Sequence, residues 1–260
     1  MPATPFTYTN HPTHPELRPW IRGSWEFATA VGAPIHHHVP PDGLAFLVLV
    51  DQAPAGPIVL GYGPQVEPLV VPTAPGVVYR GLRLAPEAAP LLLGTSAAAI
   101  LHTPHRVTQV GPVPVSEIIT ALGAGNSKAT ASAISALFLP QLALLPELDT
   151  LVTRALGEIS STDGRLPLPD VASHLGVSSR TMLRRVKAAT GLTPKQHARI
   201  ARFLATAYGM LEPGTPLSHL AARGGYADQP HFHHEVTALT GLTPAQLAER
   251  VRGTDHRSAE

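Results

Sequence analysis

Arg180, Arg184 and Lys187 stand at i, i+4 and i+7 in a stretch that holds no acidic residue between Asp170 and Glu212. On a helix that spacing gathers three cations on one face, where an ordinary solvated surface would mix signs. The chemistry open to such a stripe is the gripping of nucleic acid. Arginine can hold a guanine edge through paired hydrogen bonds, worth about 1–3 kcal/mol of base discrimination, or it can neutralise phosphate. Histidine is the chain's other chemical resource, with 14 among 260 residues. In one run, His36-His37-His38, the residues His36, His38 and Asp42 have a spacing that could open a metal site ahead of a strand. Completing that site needs a further histidine on a later strand, but the Pro75-Gly76 turn leads into Val77, Val78 and Tyr79. A polar approach to a strand is the expected reading, and no metal or cofactor is assigned. A second run, His231, His233 and His234, lies toward the C-terminus. With no cysteine in the chain, disulfides, thiolate nucleophiles and sulfur-ligated zinc are excluded. Neither a Ser-His-Asp pattern nor a glycine-rich phosphate loop is evident.

The elements that must carry the cations are marked by a repeat. Thr190-Gly191-Leu192-Thr193-Pro194 returns fifty residues later as Thr240-Gly241-Leu242-Thr243-Pro244, each copy closing an amphipathic segment. Upstream of the first copy, Asp170 can cap a short helix with Val171, Ala172 and Leu175 on its apolar face, Gly176 supplies a turn, and Ser178 caps a second helix. In that second helix Met182, Val186 and Ala189 face the core, opposite the cations. The unit is a helix-turn-helix, whose second helix fits a DNA major groove. A long helix after Pro194, with Ile200, Phe203, Leu204, Ala207, Met210 and Leu211 at helical spacing and a stop at Glu212-Pro213-Gly214, leads to a second unit. That unit runs from Leu217 through Leu220 and Ala221, turns at Gly224-Gly225 and resumes at Asp228, with Phe232, Val236 and Leu239 buried. The fifty-residue shift puts Pro230, His234 and Thr237 where the first unit has Arg180, Arg184 and Lys187, so the second copy lacks the permanent charge. Charge follows this division: eight basic and eleven acidic residues precede Leu166, while eleven and seven follow it.

The first half shows short β-rich runs cut by proline and glycine, Leu44–Val50, Ile58–Tyr62, Val66–Val71 and Val77–Leu82, which suggest a small barrel or sandwich. After Pro86 the pattern becomes helical, with an alanine-rich helix over Ser127–Leu139 and another from about Pro146 to Ile159. If the barrel encloses a pocket, Trp20, Trp25, Phe27, Tyr62 and Tyr79 are candidates to line it, with His36 and His38 at its rim. The expected organisation is α+β. A small cupin-like β-barrel with helices spans 1–160, a polar linker 161–166, an all-α double helix-turn-helix domain 167–252 and a flexible tail 253–260. No apolar run reaches the ~18 residues of a membrane span and Met1–Asn10 resembles no signal sequence, so a cytoplasmic protein without a membrane partner is expected.

Leu175-Gly176-Val177-Ser178 with Arg184, Lys187 and the Gly-x-x-Pro end, then Gly225-Tyr226-Ala227-Asp228 with Phe232 and Gly241-Leu242-Thr243-Pro244, resemble the DNA-binding domain of the AraC/XylS family of transcription regulators. The family usually has Phe where this chain has Val186, and Arg, Phe and Lys where it has His234, Val236 and Thr237. Pro40-Pro41-Asp42-Gly43 and Gly81–Pro86 are similar to the N-terminal sensor domains of some such regulators. The resemblance implies double-stranded DNA as partner, with the two recognition helices entering successive major grooves about 34 Å apart. Ser178, Ser179, Arg180, Leu183, Arg184 and Lys187 would serve the first groove, and Gln229, His231, His233 and His234 the second. It further implies no enzymatic activity, a small-molecule effector or a dimer contact at the first half, a homodimer, and RNA polymerase as partner of an activator. A free histidine gains charge at about pH 6.5, so affinity should rise on acidification if the second run faces phosphate. The competing reading is a metal-dependent cupin-type enzyme fused to a DNA-binding domain, with His36 and His38 as ligands.

Overall fold

Alternation along β4 (Ala45–Asp51) sets the architecture of the first half, because Leu47 is fully buried on one face of the strand while Phe46 and Val48 point to the other. The computed structural model describes residues 6–32, 36–51, 54–101, 103–210, 215–252 and 254–258. Around β4 lie β1 (Phe6–Pro12), β2 (Ile21–Thr29), β5 (Pro57–Tyr62), β7 (Val78–Leu84) and the short β8 (His105–Arg106). They form a sheet in the order β1-β2-β7-β4-β5-β8, antiparallel throughout. A second pair, β3 (His36–Val39) with β6 (Leu69–Pro72), stands apart, with His37 paired to Val71. The barrel expected from the sequence is therefore not closed. Among the described residues the two sheets share no ladder.

The buried face of the large sheet carries Ile21, Leu47, Leu82 and Leu84 against α1 (Ala89–Leu92), α2 (Ala97–Leu101), the short β9 (Gln109–Val110) and β10 (Val113–Pro114) pair, α3 (Val115–Leu122) and α4 (Ser127–Phe138). Phe138 and Ile118 are fully buried there, and truncating such a phenylalanine costs about 3–5 kcal/mol. The sequence runs had indicated β4 to β7 but not β1 or β2. Phe-Thr-Tyr-Thr-Asn-His-Pro reads as polar, and β2 is interrupted by Gly23 at a register shift, where an added methyl would come within 2.5 Å of the His11 carbonyl oxygen.

Among the described residues seven helices build the second half: α5 (Thr150–Ser161), α6 (Leu168–His174), α7 (Ser179–Thr190), α8 (Pro194–Gly209), α9 (Leu217–Arg223), α10 (Gln229–Thr240) and α11 (Pro244–Arg252); Leu211 and the expected stop at Glu212-Pro213-Gly214 lie outside the described residues. The sequence reading assigned α5 to the first half, yet Val152, Ala155 and Ile159 pack with Val171, Ala172, Met182 and Val186 in one core. The stretch read as a polar linker is a packed turn. Asp163 and Gly164 adopt positive φ, Arg202 Nη2 donates to the Gly164 carbonyl at 2.8 Å, and a methyl on Gly164 would strike the Ala198 backbone. After α11 the tail, expected to be flexible, contains a strand, β11 (Thr254–Ser258), parallel to β1 with Phe6 opposite Thr254. No helix among the described residues is long and apolar enough to cross a membrane.

Candidate nucleic-acid interface and cavity

Helix α7 begins where Ser178 accepts a hydrogen bond from the Thr181 N–H at 3.1 Å, and it ends at Gly191 with φ 81°. The first helix of the unit is headed by Pro167 rather than capped by Asp170, which sits in the first turn where its charge favours the helix dipole. Met182, Val186 and Thr190 are buried along α7. Ser178, Ser179, Arg180, Leu183, Arg184 and Lys187 are all exposed, and Leu183 leaves 43% of its surface in water. The stripe read from the sequence is thus a continuous outward face. Arg185 takes no part in it: its guanidinium turns inward and donates to both carboxylate oxygens of Asp149 at 2.8 and 2.5 Å.

The second unit repeats the scaffold. Asp228 caps α10 by accepting from the His231 N–H at 2.7 Å, and Gly241 closes the helix with φ 70°. Thr240 Oγ1 donates to the Val236 and Leu242 carbonyls as Thr190 Oγ1 does to those of Val186 and Leu192. Each TGLTP also starts the following helix through a reciprocal cap, Thr193 with Gln196 and Thr243 with Gln246. An ion pair completes the correspondence: Arg199 Nε donates to Glu235 Oε2 at 2.6 Å. Asp149 and Arg199 are fifty residues apart, as are Arg185 and Glu235, so the same bridge recurs with its charges exchanged. In the sequence the bridge is visible only as two pairs of opposite charges fifty residues apart, each partner far along the chain from the residue it meets. The full repeat is three helices, α5-α6-α7 and α8-α9-α10.

Gln229, His233 and His234 are exposed on α10, facing solvent as expected. His231 is exposed too but is folded back. Its Nδ1 accepts from the Ala227 N–H at 3.3 Å and its ring meets Tyr226 edge-on at 5.5 Å. One more difference lies beneath the surface. His197, at the start of α8, is buried against the end of the first unit, 3.0 Å from Thr190 Oγ1, and burial pulls it down to about 4 from its ordinary 6.5; the fifty-residue shift puts buried Leu247 in its place, against the end of the second unit.

Between the large sheet and β3·β6 lies a cavity of about 330 Å³. Trp25, Phe27, Tyr62 and Tyr79 line it as the sequence suggested. Trp20 does not, since its indole N–H donates to the Pro146 carbonyl at 2.8 Å. Strand parity also reverses the expectation for the histidines. His37 lines the cavity, tilted against Phe27 at 4.3 Å, and its strand neighbours His36 and His38 point the other way. His38 instead meets the second unit, where a methyl on Gly241 would lie 3.7 Å from its Nδ1. The His36, His38 and Asp42 spacing therefore does not converge. Asp42 pairs with Arg83 at 2.6 Å, and among the described residues no three metal-ligating side chains gather. Arg83, unremarked in the sequence, also donates through Nε to Tyr8 Oη at 3.0 Å.

Comparison with known proteins bears on the second half. A family model described as a helix-turn-helix domain matches residues 171–250. The HTH-type transcriptional activator RhaR of Cronobacter sakazakii is 31% identical over 94 residues, which is 36% of this chain and 32% of that protein. The chain thus matches about a third of the length of this relative. Among solved structures, the C-terminal domain of AraT, a response regulator from Geobacillus stearothermophilus, is 25% identical with a TM-score of 0.38, covering 44% of this chain and 92% of its own. Unsaturated fatty acid bound ToxT from Vibrio cholerae is 10% identical with a TM-score of 0.46, covering 97% of each chain. Two capped units on a shared helix and the matched segment agree: residues 171–250 form a helix-turn-helix domain.

Proposed function

We propose that the chain is a sequence-specific DNA-binding transcription regulator in which α7 supplies the principal grip and α10 a weaker second contact. The observation that carries this reading is the exposed, acid-free face of Arg180, Arg184 and Lys187 on a helix whose other face is locked into a core. Arg180 and Arg184 read or position the groove, Lys187 holds phosphate, and Ser178 and Ser179 at the helix start add hydrogen bonds to the backbone. Exposed Leu183 supplies an apolar contact for a thymine methyl in this reading. On α10, Gln229, His233 and His234 make the second contact, while His231 supports the cap. The test is selection of bound sequences from a random duplex pool, followed by titration of the winning site. A site with no preference at any base would overturn the reading.

Control from the first half is supported by the contacts that join it to both units. Leu101 and the Ala97 carbonyl lie 3.1 and 3.3 Å from where a methyl on Gly191 would stand, at the end of α7. Ile200 of α8 is 3.6 Å from the corresponding point at Gly43, beside cavity-lining Asp42 and Leu44. A small molecule in the cavity would thus act on walls that touch the DNA-binding half, as an effector does. A homodimer would present four reading helices, and an activator would add a contact with RNA polymerase.

A further inference from the structure

We propose that the cavity selects an uncharged, flat aromatic molecule bearing a hydroxyl or carbonyl group, a ligand class that rests on the reading of the first half as a sensor. The walls argue for flatness. Phe46 and Tyr62 stack at 4.7 Å with only 11° between their planes. Trp25 lies across Gly81, where a Cβ would come within 2.5 Å of its ring, so the sheet floor itself is glycine-thin to let the indole lie down. His37 closes the opposite side. These faces favour offset stacking, and about 330 Å³ suits a compact fused-ring molecule at the small end of ligand pockets.

Charge argues for neutrality. Arg83 is the cation on the lining, and it is already engaged by Asp42 at 2.6 Å and by Tyr8 Oη, with its guanidinium 5.6 Å from the Tyr8 ring centroid. A ligand carboxylate would have to share Arg83 with Asp42, two like charges within one apolar enclosure. A sugar would strand its hydroxyls against aromatic walls. Tyr62 offers the matching polar handle. Its hydroxyl makes no hydrogen bond among the described residues, and burial raises its pKa above the ordinary 10.0, keeping the phenol protonated as a donor.

The test is calorimetric titration of the full chain with 2-naphthol, 2-naphthoate and 1-decanol. The expected result is one 2-naphthol per chain, with 2-naphthoate and 1-decanol each at least about 10-fold weaker, since a buried unpaired charge or a flexible chain forfeits that much. Tyr62→Phe should weaken 2-naphthol about 3–10-fold, the worth of one hydrogen bond. Asp42→Asn should narrow the gap between naphthol and naphthoate by freeing Arg83. Val48→Trp, which enlarges a side chain lining the cavity, should abolish binding, and Leu60→Phe serves if that variant does not fold. Equal or tighter binding of naphthoate or decanol, no binding of any probe, or naphthol binding retained in the filled variant would overturn the assignment. Gel shifts on the same preparations separate the two readings: selective DNA binding without naphthol binding removes only the ligand class, and naphthol binding without selective DNA binding removes the regulator.

Discussion

The two helix-turn-helix units share their internal geometry and differ on their surfaces. Buried Val186 and Val236, the Thr190 and Thr240 hydroxyls, the left-handed glycines at 191 and 241 and the Thr–Gln caps coincide after the fifty-residue shift. Arg180, Arg184 and Lys187 do not, having become Pro230, His234 and Thr237. Positions that satisfy a backbone group or fill a core resist change because an unmet hydrogen bond or void costs one to several kcal/mol. Outward positions carry no such cost to the fold, so they are free to set the strength and selectivity of each contact separately. The exchanged ion pair shows an intermediate case. The bridge is kept and its polarity reversed, and a mispaired scaffold, α5 on α10 or α8 on α7, would oppose Asp149 to Glu235 or Arg185 to Arg199.

The largest difference expected between the units is in acid. His197 is neutral in the folded chain and takes a proton once unfolded, so the stability it supports is complete above about pH 6.5 and is lost as pH falls toward 4, up to roughly 3 kcal/mol. Urea unfolding at pH 7 and pH 4.5 should show His197→Leu losing about 2–3 kcal/mol less than the parent between the two conditions, and identical losses would deny the first unit this sensitivity. On DNA, Arg184→Ala should weaken binding about 10–100-fold at pH 7.5, against less than about 3-fold for His234→Ala, because only arginine carries permanent charge. Equal losses in a gel-shift titration would erase the asymmetry. Next comes the reversed bridge. Glu235→Arg alone should cost about 1 kcal/mol by thermal or urea unfolding, and adding Arg199→Glu should restore most of it; a double variant no better than the single would mean the pair carries nothing. The smallest contrast concerns the caps. Ser178→Ala and Asp228→Ala should each cost about 1 kcal/mol, the aspartate by a few tenths more through its charge at the helix start.

The second half was readable because its signals are local: a cap, a turn glycine and an apolar stripe fall within a dozen residues of one another, and a repeat states them twice. Its matched segment, core and exposed stripe follow from those signals. Helix α5 was expected as a helix but placed in the first half, because its partners Val171 and Met182 lie beyond a turn that reads as polar linker, although Gly164 in that turn is pressed against α8. In the first half the missing information was pairing. Nothing within Phe6–Pro12 or Ile21–Thr29 announces a strand as strongly as the valine-rich runs do, and their order beside β7 is a property of the sheet. The histidine run was recognised but given the wrong face: one residue of strand parity decides whether His37 or its neighbours see the cavity. Arg83 drew no notice because a lone arginine in a strand acquires meaning only when Asp42 and Tyr8 are brought to it.

The strand β11 ties the far end of the second half to β1 at the near edge of the first. The two halves are therefore joined by a backbone ladder as well as by the covalent path that enters α5 and by the packed contacts at Gly43, Gly191 and Gly241. A body held by one tether can swivel in any direction, whereas a body held at two points keeps mainly the rotation about the line joining them. Held by the covalent path, the ladder and those packed faces, the two halves have little freedom to swivel, so the ordered tail is part of how α7 and α10 are presented.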